Sequence, residues 1–214
     1  MAIQSGKVLS INIAQESKAQ SWTDSGNRTG IHKIGVEGLI QFVNDGLVGD
    51  NVVDRVNHGG YHKAVYAYAR EDAEWWEKKI GREIEAGQFG ENVTTAGIDV
   101  TGAVIGERWQ IGDLLLEVSE PRIPCRIFSG FWERPTLIKE FTAANRPGAY
   151  LRIIDEAMIE RGATIDVVHR PTHGITIGDI FAAKSGERAK ISEIAQVKEL
   201  STEYQKWAKR VGVR

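Results

Sequence analysis

Along the first two thirds of the chain, hydrophobic and polar positions recur in short runs, mostly of period two, punctuated by glycine. Val8, Ser10, Asn12 and Ala14 alternate with Leu9, Ile11 and Ile13, the pattern of a half-buried strand. Gly35-Val36-Glu37-Gly38 and Asn44-Asp45-Gly46 read as turns, the second through residues that tolerate positive φ. Ala64-Val65-Tyr66-Ala67-Tyr68 is a compact apolar and aromatic strand. The period then changes. Arg70 to Gly81 reads as a helix, with Trp75, Trp76 and Lys79 on neighbouring turns and Gly81 as its stop. Val104 to Ile111 and, after Gly112-Asp113, Leu114 to Ser119 read as strands. Thr136 to Asn145 is a helix closed by Pro147-Gly148, and Tyr150 to Asp155 and Ile165 to His169 are the last strands. Many short strands, glycine-rich turns and few helices favour a β-barrel over an alternating α/β sheet.

Beyond Pro171 the pattern turns helical. Thr176 to Lys184, Lys190 to Leu200 and Ser201 to Val211 each read as a short helix, with Ser192 and Ser201 as start signals. So small a bundle needs the barrel, or a second subunit, to complete its core. The expected architecture is mainly β with added helices: a β-barrel over residues 1–170, then a small three-helix C-terminal domain over 171–214.

Charge supports that boundary. The 214 residues carry a formal net charge of -2. From Thr172 onward eight Lys/Arg face five Asp/Glu, whereas the remainder has 19 against 24. This excess is too small and scattered for a phosphate-tracking surface, so no specific nucleic acid is expected as a partner, and helix packing or a homodimer suits the tail better. With 42% hydrophobic and 26% charged residues the composition is that of a soluble globular protein. A single cysteine excludes an internal disulfide. Met1 to Ala14 lacks a leader pattern, and no apolar run approaches the roughly 20 residues that span a bilayer. The chain reads as cytoplasmic, without a membrane partner.

The candidate chemistry centres on that cysteine. Cys125 lies in Pro121-Arg122-Ile123-Pro124-Cys125-Arg126, presented from a stiff turn at the end of an apolar strand. Arg122 and Arg126 favour its thiolate, which makes it a nucleophile or a soft-metal ligand; the alternative is a buried structural side chain. A second cluster runs from Asp54 to Lys63, with His58 and His62 on either side of Gly59-Gly60. The glycines argue against a helical zinc pair and favour a loop that binds an anion through backbone N–H groups, with Lys63 adding charge, or else a plain turn. Gly90-Glu91-Asn92 and Arg152 offer further polar groups whose convergence spacing alone does not show. His32, Trp75, Trp76, His169 and His173 read as structural or surface residues. No phosphate-loop, dinucleotide or serine-hydrolase motif is present.

The order of these segments is informative. Asn-His-Gly-Gly-Tyr-His-Lys-Ala-Val-Tyr-Ala-Tyr at 57–68, Gly-Glu-Asn at 90–92, Gly-Asp at 112–113 and Pro-Arg-Ile-Pro-Cys at 121–125 resemble the MOSC superfamily, named for the C-terminal domain of molybdenum-cofactor sulfurases. Within it the chain is similar to the bacterial hydroxylaminopurine-resistance (YiiM-like) proteins, which carry a three-helix domain after the barrel. The resemblance implies a MOSC β-barrel and a molybdenum cofactor (molybdopterin), which purified protein can lack. Cys125 matches the proposed metal ligand, and Cys125 and His58 are the catalytic candidates. The resemblance also implies reduction of N-hydroxylated purines such as 6-N-hydroxylaminopurine, as bases or nucleosides. Asn57, His58, Gly59, Gly60, His62, Lys63, Glu91, Asn92, Arg122, Arg126 and Arg152 are the expected cofactor contacts. Electrons must come from an external donor protein, since one cysteine holds no cluster and no flavin or haem motif is present. The alternative is a non-enzymatic sulfur or cofactor carrier with a persulfide on Cys125.

Overall fold

The computed structural model describes residues 3–23 and 28–212. Met1, Ala2 and residues 213–214, at the outer ends of the two expected domains, lie outside the described residues. Eleven strands and seven α-helices are assigned there. In order they are β1 (Ser5–Ile13), β2 (Ile34–Val36), β3 (Ile40–Val43), β4 (Gly46–Leu47), α1 (Arg55–His58), β5 (Val65–Ala69), α2 (Arg70–Ile80) and β6 (Val93–Ala96). Then come β7 (Arg108–Ile111), β8 (Leu114–Pro121), α3 (Arg126–Phe131), α4 (Leu137–Ala144), β9 (Ala149–Asp155), β10 (Ala157–Ile159) and β11 (Thr164–His169). The last helices are α5 (Ile177–Lys184), α6 (Ile191–Ile194) and α7 (Thr202–Gly212).

Seven strands close into a barrel in the order β11-β7-β8-β9-β5-β6-β1, sealed by antiparallel pairing of β1 with β11. β2 extends the far end of β1, and β10-β3-β4 form a small separate sheet. β5 and β6 are parallel, joined by the α2 crossover. Closure leaves few free edges, which suits so many short strands.

β5 shows why its run is apolar throughout. Val65, Ala67 and Ala69 belong to the cluster that fills the barrel, while Tyr66 and Tyr68 enter a second, aromatic cluster outside it. That second core lies against α2, α3 and α4, where Tyr68 stacks on Phe89 at 4.1 Å and Trp76 on Phe141 at 5.9 Å. Trp76 is therefore a packing residue, as its helical position implied.

The tail does not stand apart. Ile177, Ile180, Ile194, Leu200, Tyr204 and Ala208 share one continuous apolar cluster with the barrel interior. Arg152 of β9 fastens it further: its Nε donates to His62 Nδ1 at 2.8 Å, Nη1 to Glu117 Oε1 at 2.6 Å and Nη2 to the Glu199 carbonyl. Among the described residues no helix is long and apolar enough to cross a membrane.

Several local expectations change. A bulge between Val8 and Ser10 breaks the alternation of β1, so Val8, Ile11 and Ile13 are buried while Leu9 is exposed. The strand expected from Val104 begins only at Arg108, because a turn that bonds Glu107 N to Val104 O at 2.8 Å precedes it. Gly35 and Val36 lie within β2, so the chain turns after them. The helix expected over 190–200 is reduced to α6, with Lys190 rather than Ser192 at its start, and tight turns follow that bury Val197 and Leu200. A helix not expected from sequence, α3, begins immediately after Cys125.

Candidate functional site

A cavity of about 510 Å³ opens beside the Cys125 segment, within the size range of small-molecule sites. Its wall is built at the end of β8. A bulge at Ser119, whose hydroxyl has the Tyr150 carbonyl at 2.9 Å and the His62 carbonyl within hydrogen-bond reach of its one proton, turns the strand out of the barrel. Glu120, Pro121 and Arg122 then line the cavity, followed by Pro124, Cys125 and Arg126. Cys125 is half-buried in extended backbone.

Arg122 is only 4% exposed, and its guanidinium lies 4.3 Å from the Phe128 ring centre and 5.4 Å from that of Tyr66. Its Nη1 is buried without a hydrogen-bond partner among the described residues, at the wall of the cavity that Arg122 lines. Beside it, His58 Nδ1 lies 3.0 Å from Tyr150 Oη. Burial, reinforced by the charge of Arg122, holds His58 down to about 4, so the imidazole is neutral at pH 7. Burial likewise pushes the Tyr150 phenol up to about 12. The pair therefore sits as neutral phenol and neutral imidazole, joined by the hydrogen bond between Tyr150 Oη and His58 Nδ1.

The structure brings Asn57, His58, Lys63, Asn92, Arg122, Cys125 and Arg126 to this one cavity. Other expected contacts stand elsewhere. Glu91 is fully buried beneath the wall, accepting from Gly87 N at 2.7 Å, Phe89 N at 3.0 Å and Thr94 Oγ1 at 2.8 Å, so it shapes a loop rather than facing a ligand. Gly87 is required there, since its φ is +88° and a Cβ would lie 2.4 Å from the Lys33 carbonyl. His62 and Arg152 bond to each other away from the cavity lining. Gly59 and Gly60 do not line it either; they end α1 and turn the chain, Gly60 at φ +85°, into a 3-10 turn over Tyr61–Lys63. The N–H groups of His58 and Lys63 are already bonded to Asp54 O and Gly60 O, each at 2.9 Å, so they are not free to hold an anion. Charge on this loop comes instead from the Lys63 side chain, which lies 3.4 Å from the buried Glu120 carboxylate.

Asn92 touches the cavity, yet its amide is fully employed. Oδ1 accepts from Tyr66 N at 3.2 Å, and Nδ2 donates to Asp50 Oδ2 at 2.8 Å and Asn12 O at 3.3 Å. Asp50 also pairs with Lys33, another wall residue, whose ammonium is weakened by burial. Residues that the sequence did not mark include Tyr66, Glu120 and Tyr150 of the barrel and Lys184, Glu203 and Tyr204 of the tail. No local signal links Tyr150 to His58, 92 positions away.

Among the described residues no group of three or more His, Cys, Asp or Glu side chains converges to hold a metal ion. A metal bound at Cys125 would thus need most of its ligands from a cofactor. The surroundings fit such a group, with an accessible thiol, an orphaned guanidinium donor and arginines along the same wall.

The MOSC domain profile matches residues 54–166. YflK of Bacillus subtilis is 30% identical over 172 residues, 79% of this chain and 76% of its own length. YiiM of Escherichia coli is 27% identical over 156 residues, 72% of this chain and 69% of its own. A Gibberella moniliformis protein named Reductase is 32% identical over 130 residues, which make up 59% of this chain and 23% of that protein. The crystal structure of YiiM from Geobacillus stearothermophilus has the same fold, with a TM-score of 0.79 at 27% identity, over 96% of this chain and 98% of that one. With its closed seven-stranded barrel, its cysteine-bearing cavity wall and these relatives, the chain belongs to the MOSC domain family.

Proposed function

We propose that this protein is a molybdenum-cofactor-dependent reductase that converts N-hydroxylated purines, such as 6-N-hydroxylaminopurine, to the parent amines. The observation that carries the reading is the half-buried thiol of Cys125 beside the buried, unpartnered Nη1 of Arg122 in a cavity of about 510 Å³. A thiolate suits molybdenum, and a buried guanidinium donor suits a phosphate or a pterin carbonyl. Membership of the MOSC family and the relative named Reductase point the same way.

In this reading Cys125 ligates the metal, while Arg122, Arg126 and Arg28 hold the anionic and polar edges of the cofactor. When bound, the cofactor supplies the two-electron redox centre. The overall change is R–NH–OH + 2 e⁻ + 2 H⁺ → R–NH₂ + H₂O. The electrons come from an external redox protein, since the chain has a single cysteine and no flavin or haem motif. The chain's own groups bind and orient. His58, neutral and held at Nδ1 by the Tyr150 hydroxyl, would with its proton on Nε2 donate a hydrogen bond to the substrate oxygen. The rings of Tyr66 and Tyr150 give the purine an apolar, water-poor wall.

The test uses protein from a host that makes the cofactor, with a chemically reduced viologen as electron source. Conversion of 6-N-hydroxylaminopurine to adenine is expected, with Cys125→Ser inactive. Absence of conversion by protein that contains molybdenum would overturn the reading. A mass increase of one sulfur on Cys125 with no molybdenum would favour a sulfur carrier instead.

A further inference from the structure

The cavity wall is chemically divided. The 28–33 loop and the 121–127 run contribute three arginines, Arg28, Arg122 and Arg126, with Lys33 already neutralised by Asp50. A second part of the wall comes from Lys63 and Glu120 of the barrel and from Lys184, Glu203 and Tyr204 of the tail. These five groups surround one volume. Lys184 lies in the fields of Glu203, Glu120 and Lys63, and Tyr204 in those of Glu120 and Glu203.

Two features of this part are unspent. Tyr204 is only 5% exposed, yet its hydroxyl makes no hydrogen bond among the described residues and lines the cavity. The Lys184 ammonium is held 4.8 Å over the Tyr204 ring and 4.7 Å over the Trp207 ring, and no ion pair engages it among the described residues. Here two lysines face two carboxylates, so the charge balances. A phosphate dianion would meet Glu120, which is 2% exposed and unable to move away, as well as Glu203. A neutral ligand rich in hydroxyls meets no such repulsion: carboxylates accept from its hydroxyls, and tyrosine and lysine donate to them.

We infer that the tail helices complete a sugar subsite, and that the substrate is an N-hydroxylated purine nucleoside rather than the free base. The inference rests on the proposed reductase reading and adds the substrate class to it. The base would lie toward Cys125 and Arg122, and the ribose hydroxyls toward Glu120, Glu203, Tyr204 and Lys184.

The experiment compares kcat/KM of molybdenum-loaded protein for 6-N-hydroxylaminopurine, its ribonucleoside and the nucleoside 5′-monophosphate. Calorimetric binding of adenine and adenosine to the same protein gives a readout independent of turnover. The ribonucleoside is expected to exceed both the base and the monophosphate. Tyr204→Phe and Lys184→Met should each lower the nucleoside-to-base ratio by about fivefold to tenfold, the worth of one or two hydrogen bonds, in both turnover and binding. Both substitutions retain the packing stem, so loss of fold is not the expected result. Equal kcat/KM for base and nucleoside, or variants that leave the ratio unchanged, would overturn the sugar subsite while leaving the reductase reading intact. Preference for the monophosphate would replace the sugar site with a phosphate site and overturn it equally. If loaded protein reduces none of the three compounds, the reductase reading falls and the subsite with it.

Discussion

Replacing His58 by Asn tests the electrostatic picture of the site in isolation from any cofactor. In the folded chain His58 stays neutral down to about 4, because burial and the neighbouring Arg122 disfavour the imidazolium. Unfolded, it titrates near 6.5. Above pH 6.5 both states are neutral and His58 has no effect on the pH dependence of stability. As pH falls from 6.5 toward 4 the unfolded chain takes up a proton that the folded chain refuses, and stability is lost. At 1.36 kcal/mol per pH unit the loss between pH 7.5 and pH 5 is about 2 kcal/mol. Asn retains a carbonyl that can accept from the Tyr150 hydroxyl but does not titrate. Urea unfolding at a series of pH values measures both proteins, and carboxylate titrations common to the two cancel in the difference. The wild type should lose about 2 kcal/mol more than His58→Asn over that interval. Parallel curves would mean that His58 is solvated, and the buried donor pair with Tyr150 would have to be abandoned.

Other outcomes follow from the supporting structure. Glu91→Gln places an amide where two backbone N–H groups and a hydroxyl now converge on a carboxylate, and should cost about 2 kcal/mol, roughly 4–8 °C in Tm for a chain of this size, by scanning calorimetry. Arg152→Met removes the link from β9 to Glu117, His62 and the tail, and should cost about 3 kcal/mol. Hydrogen exchange should then show the amides of α7 opening before those of the barrel, whereas uniform acceleration would deny the link. Gly87→Ala should destabilise by several kcal/mol through its positive φ and its clash with the Lys33 carbonyl, and calorimetry would report an unchanged Tm if that loop were free to adjust.

The barrel was legible because its determinants are local: period-two runs, glycine turns, and stops such as Gly81 and Pro147-Gly148. That several polar groups gather at one candidate cavity was legible in part, since Cys125, Arg122, Arg126, His58 and Lys63 come from two compact segments that the fold brings together. What stayed hidden depends on tertiary geometry. Tyr150 looks like any strand residue until β9 pairs with β8 and sets it against His58. Lys184, Glu203 and Tyr204 reach the cavity only because the tail docks on the barrel, which periodicity within the tail does not encode. Glu91 and Arg152 illustrate the converse. Their charge suggested ligand contacts, but each is consumed by internal hydrogen bonds that spacing along the chain does not reveal. The bulges in β1 and β8 shift which residues face inward, and nothing in the alternation announces a one-residue insertion.

The central claim is that Cys125 holds a molybdenum cofactor, and molybdenum content per chain tests it most directly. Protein from a cofactor-competent host, analysed by elemental mass spectrometry beside Cys125→Ser, should carry close to one molybdenum per chain in the wild type and almost none in the variant. Equal molybdenum in the two proteins, or none in either, would contradict it.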